Sequence, residues 1–208
     1  MPATRSTRTT TAQSPRRRRA DAERSVATIL DAALDAVASN PDISMAEIAR
    51  RAGVVRATIY VHFPTREALL DAITARSIAE AVEVITAAEP ERGDPAQALQ
   101  RVLTAAWRHL QRYHALVSLN TQLPPEELRR RHRPVLALLK PLIERGQRAG
   151  AFRPDVPAQW HLSMLLALIH AASGEQRAKR VPAAQVEPAL IATALGALSP
   201  PASRSSIH

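Results

Sequence analysis

The chain has 208 residues, and its 46% apolar content is enough to bury one large core or two small ones. There is no cysteine, which excludes disulfides, thiolate metal sites and cysteine nucleophiles; aromatics make up only 3%, leaving the interior to Ala and Leu. The net charge of +9 is unevenly spread: residues 1–19 hold six Arg and no acid, residues 20–90 six basic and eleven acidic side chains, and residues 91–208 sixteen basic and eight acidic. Bulk charge therefore supports an anionic partner only weakly, and local placement has to carry the argument.

Residues 1–19, MPATRSTRTTTAQSPRRRR, lack apolar periodicity and read as a disordered basic arm. Their Arg, Ser and Thr content also suits an organellar transit peptide, but no amphipathic helix accompanies it. From Ala20 to Ser39 the positions Val26, Ile29, Leu30, Ala33, Leu34 and Val37 recur at steps of three and four, the mark of a helix with one buried stripe. Asn40-Pro41-Asp42 breaks it. Ser44-Met45-Ala46-Glu47 then matches a capping box, in which the Ser44 hydroxyl serves the N–H three residues on and Glu47 reaches back to the Ser44 N–H. A short helix from Met45 should stop at Gly53. The next stretch, ATIYVHF, is β-branched enough for a strand, yet a lone strand between helices would have no partner. As a helix it sets Ile59 and Phe63 on one face, towards Ile48, and this reading prevails.

Pro64 ends that element, and Thr65 caps a long helix whose apolar steps are Leu69, Ile73, Ile78, Val82 and Ile85. Residues 89–95, EPERGDP, read as a linker. Beyond it come a stripe of Leu99, Leu103, Ala106, Leu110 and Tyr113, a break at Pro124-Pro125, and a helical stretch that Pro134 and Pro141 start, kink or divide and Gly150 closes. Two apolar helices, Trp160–Ala172 and Val186–Leu198, precede a tail at 201–208 expected to fray. No apolar run reaches the roughly 18 residues of a membrane span, and no secretory leader is visible, so a cytoplasmic location is expected.

Helix, tight turn and second short helix within about 20 residues form a helix-turn-helix pattern. The stretch DISMAEIARRAGVVRATIYVHFPTREALLDAI resembles the DNA-binding half of the tetracycline-repressor (TetR) family. The resemblance rests on Ile48-Ala49, Ala52-Gly53-Val54, Thr58-Ile59-Tyr60, His62-Phe63, Arg66-Glu67 and Leu69-Leu70. Two departures stand out: Val55 occupies a position that often holds a capping Ser or Thr, and Arg66 one that usually holds Lys. The expected architecture is all-α, with a three-helix DNA-binding domain at residues 20–67 joined by a long helix to a helical effector and dimerisation domain at 68–200.

A second helix of this kind enters the major groove with its N-terminal residues at the base edges. Arg56 can pair with guanine O6 and N7 and is the prime candidate for reading sequence, with Thr58 beside it; Ala57 and Val61 can touch a thymine methyl. Ser44, Met45, Tyr60, His62 and Arg66 complete the expected DNA surface, chiefly through phosphate contacts. Each also has an ordinary reading: Tyr60 as a core aromatic, His62 as a helix-end histidine, Ser44 as a cap. It is their joint spacing that favours DNA.

The resemblance also implies an apolar pocket in the second domain for a small organic effector, for which Leu103, Trp107, Leu110, Tyr113, Leu138, Trp160 and Met164 are candidates; each could equally fill an Ala/Leu core. It further implies a homodimer through the last two helices, with Leu162, Leu165, Leu166, Ile169, Leu190, Ile191 and Leu195 as the candidate face. The histidines show no metal-ligand spacing, and no metal, cofactor or membrane partner is expected. The expected function is a dimeric regulator, in the main a repressor, released from a palindromic operator on double-stranded DNA by its effector. The alternatives are an effector-independent DNA-binding protein and a helical enzyme, and for the latter no G-x-S-x-G, P-loop or dinucleotide turn is present.

Overall fold

The computed structural model describes residues 15–113, 117 and 123–201. Among these, every regular element is a helix: α1 (Pro15–Ser39), α2 (Met45–Arg51), α3 (Arg56–His62), α4 (Arg66–Ala87), α5 (Pro95–Arg112), α6 (Pro125–Arg131), α7 (Arg133–Arg148), α8 (Ala158–Arg177) and α9 (Ala183–Leu198). The expected arm at 1–19 is corrected at its end, because α1 begins at Pro15 and runs through the Arg cluster. Pro suits a first helical turn and Arg is a good helix former, so the cluster extends the helix instead of preventing it. Residues 1–14, the rest of the arm, and 202–208 of the tail lie outside the described residues.

The punctuation of the head follows local chemistry. Ser44 caps α2 by accepting from the Glu47 N–H at 3.3 Å. The other half of the expected box is absent, since the Glu47 carboxylate turns to Arg50 at 2.5 and 2.7 Å and to Arg51 at 3.2 Å. Gly53, at φ 67°, closes α2 in a left-handed turn, its own N–H donating to the Arg50 carbonyl and the Val54 N–H to that of Ala49. Thr65 caps α4 through the Ala68 N–H at 3.1 Å.

Two cores result. In the head, Ile29, Ala33, Leu34 and Val37 of α1 meet Ile48 and Ala49 of α2, Ile59 and Phe63 at α3, and Leu69 and Ile73 of α4. In the body, Ile85 of α4 joins Leu99 and Val102 of α5, Leu142 and Ile143 of α7, Leu162 and Leu165 of α8 and Ala194 and Leu198 of α9. The division expected at residue 67/68 therefore falls inside a shared element: the first turns of α4 belong to the head and its end to the body.

Residues 89–95, read as a linker, connect α4 to α5 as a clamped corner. Arg101 donates to the carbonyls of Ala88, Glu89 and Arg92 at 2.9–3.2 Å, and Arg145 to those of Pro90 and Gly93 at 2.9 and 2.6 Å. Two guanidiniums thus hold a tight corner, in which Glu89 at φ 51° and Gly93 at φ 72° make the turn. At the end of α7, Phe152 folds back over Gly146 with its ring fully buried, and its N–H donates to the Gly146 carbonyl at 3.0 Å. A Cβ at position 146 would overlap the Phe152 ring. Gly146→Ala is therefore expected to destabilise the protein by about 1–3 kcal/mol, the usual cost of overpacking, read as a lowered urea midpoint. An unchanged midpoint would mean that the ring has room to move.

Candidate functional site

The outward face of the head is built on α3. Ile59 is fully buried and Phe63 nearly so, which fixes the rotation of the helix and turns the opposite side to solvent. On that side Val55, Arg56, Ala57, Tyr60 and Val61 are exposed, with Thr58 and His62 half-buried at the edges. Val61 is 77% and Val55 70% exposed, and so much unpartnered β-branched surface on one short helix needs a reason outside the protomer. The Arg56 guanidinium lies 5.5 Å from the centre of the Tyr60 ring, a cation–π pairing that holds the arginine on the exposed face. Val55 offers no side-chain cap to α3.

Most of the residues expected to meet DNA are thus exposed or half-buried on the head, with one correction. Met45 is buried at 7% exposure within the head core, because it opens α2 on the side that packs against its neighbours; its side chain is structural. Arg66 is engaged within the protein: its guanidinium donates to the Pro41 carbonyl and ties the start of α4 to the turn after α1. A guanidinium has five N–H donors, so this bond leaves others of Arg66 for a further partner.

In the body, a cavity of about 100 Å³ lies between α4, α5, α7 and α8. Of the seven residues expected to line an effector pocket, Leu103 and Leu110 do so. Trp160 is 67% exposed and faces outward, whereas Trp107 is buried against Val186 and Leu190. Leu138 and Met164 pack on the body core but not on the cavity. Tyr113 lies deeper: its ring completes the head core and borders a smaller recess of about 30 Å³ next to the cavity. Helical stripes that look alike in sequence thus face different neighbours.

The sequence reading missed the polar members of the lining, His109, His132 and His170. His132 donates its Nδ1 hydrogen to the Leu128 carbonyl at 2.8 Å, and His109 Nε2 does the same to that of Ser77 at 2.9 Å. The His132 and His170 rings meet edge to face at 5.4 Å. His170 Nδ1 is buried without a hydrogen-bond partner. Burial, then the neighbouring His132 and Arg177, pushes His170 down to about 4. Burial also lowers His132, against the bond to Leu128. Among the described residues no group of His, Asp or Glu is placed to hold a metal ion, and no helix is long and apolar enough to cross a membrane.

Of the seven expected dimer residues, three are corrected by their burial and four stay half-exposed. Leu162, Leu165 and Leu190 are buried within the protomer, Leu166 and Ile169 line the cavity, and Ile191 and Leu195 pack half-buried on the body core. The sides that α8 and α9 leave open carry Trp160, Ala167 and Ala171, and Ala189, Ala192 and Gly196.

Side chains join head and body. Tyr113 donates its hydroxyl to Glu80 at 2.7 Å, Arg76 reaches back from α4 to Asp31 of α1 at 2.5 Å, and Arg76 lies 3.4 Å from Glu80. Arg112 stands within 3.7 Å of Asp31 and 3.6 Å of Glu80. Further along, Arg131 of α6 pairs with Asp71 of α4 at 2.9 Å while Glu127 steadies it at 2.7 Å.

An exposed short helix on a three-helix head, joined to a helical body, is the architecture of a DNA-binding transcriptional regulator, and comparison with known proteins agrees. Residues 29–73 match the family model for bacterial regulatory proteins of the tetR family, and residues 94–191 that of the C-terminal domain of SbtR-like transcriptional regulators. The chain is 31% identical over 159 residues to the HTH-type transcriptional repressor LfrR of Mycolicibacterium smegmatis, covering 72% of this chain and 77% of LfrR. It is 28% identical over 150 residues to the HTH-type transcriptional regulator NfxB of Pseudomonas aeruginosa, covering 70% of this chain and 79% of NfxB. A TetR-family regulator from Shewanella sp. PV-4 superposes with a TM-score of 0.66 at 26% identity, over 84% of this chain and 97% of its own. LfrR solved with proflavine superposes with a TM-score of 0.64 at 24% identity, over 85% and 97%. The chain belongs to the TetR family of transcriptional regulators.

The two lowered histidines give the body a defined acid response. Their folded values lie below the unfolded value of about 6.5, so the unfolded chain takes up protons first as pH falls. Stability is expected to be full above about pH 6.5 and to decline towards pH 4, followed by chemical denaturation at each pH. Replacing both His132 and His170 by Phe should flatten that slope; an equally steep slope in the double variant would place the response elsewhere.

Proposed function

We propose that the protein is a homodimeric repressor that holds a palindromic operator and releases it when a small organic molecule enters the body cavity. The observation that carries this reading is the exposed face of α3, held by the buried Ile59 and Phe63, on a head whose fourth helix lines that cavity. In the major groove, Arg56 leaves the Tyr60 ring and offers guanine two parallel donors, while Ala57 and Val61 meet thymine methyl groups. Thr58 lies beside Arg56 at the base edges, while Ser44, Tyr60, His62 and the free donors of Arg66 set the register on phosphates. Such a protein works in the cytoplasm, where operator DNA lies.

A palindrome requires two reading helices about 34 Å or a multiple apart, hence two copies of the chain. The open sides of α8 and α9, with small Ala and Gly residues flanking Trp160, let two copies approach closely in a four-helix contact. Ligand coupling needs an arrangement of the heads that the effector prefers. Ser77, Ile78, Ala81 and Ile85 of α4 line the cavity, and Leu69 and Ile73 of the same helix anchor the head, so a shift of α4 moves both. The proflavine bound in LfrR supports a small-molecule effector here, without fixing its identity. An effector-independent regulator is the second reading, and the cavity stands against it.

Site selection from random duplex DNA should enrich a palindrome. Arg56→Ala should weaken binding to that site by about 1–3 kcal/mol and relax the preference at one base pair in each half. A variant that keeps full affinity and preference would remove Arg56 from the reading role. For assembly, sedimentation should give twice the chain mass, and Ala192→Arg should shift it towards the monomer; wild-type mass equal to one chain would reject the dimer.

A further inference from the structure

The cavity has a chemistry more specific than apolar. None of its lining residues is Asp, Glu, Lys or Arg, and apart from three histidines and Ser77 the walls are aliphatic. A charged guest would leave water without an opposite charge to meet, at a cost few ligands recover. Nor do His132 and His170 supply charge, because burial favours their neutral forms.

What they do supply is hydrogen bonding. With its Nδ1 hydrogen committed to the Leu128 carbonyl, neutral His132 keeps Nε2 as an acceptor. His170 packs edge-on against it and has a buried Nδ1 that no protein group satisfies, an arrangement that costs stability unless something pairs with it. His109 and Ser77 satisfy one another across α4 and α5 and are not left wanting. The unmet polar demand is therefore local to the His132–His170 pair, where the cavity of about 100 Å³ adjoins the recess of about 30 Å³. An engineered cavity of roughly 150 Å³ accepts benzene, so the smaller space here limits a guest to a single ring.

We propose that the molecule taken by this cavity is uncharged, about one ring in size, and carries a hydroxyl group that pairs with the His132 and His170 imidazoles. The proposal rests on the reading that the cavity receives an effector. A hydroxyl suits the pair because its one hydrogen goes to His132 Nε2 while its oxygen accepts from His170 Nδ1–H, so binding selects the His170 tautomer protonated at Nδ1. Its ring contacts Leu103, Val135 and Ile169. Phenol is the simplest member of the class.

The test titrates phenol, toluene, benzoate and benzylammonium into the full-length protein at pH 7.5 by calorimetry. Phenol should bind roughly tenfold or more tightly than toluene, reversing the order that hydrophobicity alone would set, and the two ions should give no heat of binding. His170→Leu should remove the preference for phenol. His170→Asn, whose amide can occupy the place of Nδ1, should restore most of it, and this second variant covers the case in which the leucine variant fails to fold. Toluene binding as well as phenol, either ion binding best, an undiminished preference in a folded His170→Leu protein, or no binding of any probe to protein that still holds DNA would each overturn the proposal. Operator release is read separately by gel shift. Phenol that binds without releasing DNA would leave the ligand class standing and remove only the release reading.

Discussion

The head of this molecule is joined to its body above all by the membership of α4 in two cores. Leu69 and Ile73 are fully buried in the head, and twelve residues further on Ile85 is fully buried in the body. An α-helix transmits displacement because its backbone bonds are internal and its length is fixed at about 1.5 Å per residue. The head therefore cannot choose its position independently of the body, and the side of α4 between these anchors lines the cavity. Polar ties add to this, since Asp31, Arg76, Glu80 and Tyr113 join α1, α4 and α5, and Asp71 and Arg131 join α4 and α6. Exposed ion pairs are individually weak, but Tyr113 is buried, and removing its partner would strand a hydroxyl next to the head core.

The head was legible in the sequence because its chemistry is local. Ser44, Gly53, Pro64 and Thr65 each act on backbone groups within a few residues, so their meaning does not depend on distant packing. Ile59 and Phe63 were assigned inward for the same reason: a short helix has only one way to bury two large side chains four apart. Where the reading went wrong, the competing roles were locally indistinguishable. Glu47 could complete the capping box or meet Arg50 and Arg51, and the charge pairs prevailed, holding its carboxyl near 2. Met45 could lie on either side of the first turn of α2. The Arg run at 16–19 served equally as a solvated arm and as the first turns of a helix.

The body was less legible, because a residue on the inner side of a helix reads alike whether it meets a neighbour or a void. Leu162 and Leu166 are one turn apart on α8; both line the cavity, but only the first is also a member of the buried core. Trp107 and Trp160, taken together as pocket residues, ended in the core and on the surface. What separates such positions is the rotation and crossing of whole helices, set by contacts distant in sequence. The histidines carried a usable signal that spacing rules for metals do not capture: they are polar side chains within otherwise aliphatic stripes. The corner at 89–95 was legible only in part, since Pro, Gly and acidic residues mark a chain reversal without telling whether it is loose or clamped; Arg101 and Arg145, far along the chain, decide that.

The fate of the two tryptophans has a practical side. The sequence contains only Trp107 and Trp160, one almost wholly shielded against α9 and the other standing largely in water on α8. Their emission should differ in colour and in accessibility to a soluble quencher, so the protein carries a pair of built-in optical probes. Light from Trp107 reports on the packing of α5 against the last helix. Light from Trp160 reports on whatever covers the outer side of α8. Loosening of the interior and pairing of two copies would thus appear as separate spectral events in the unlabelled protein.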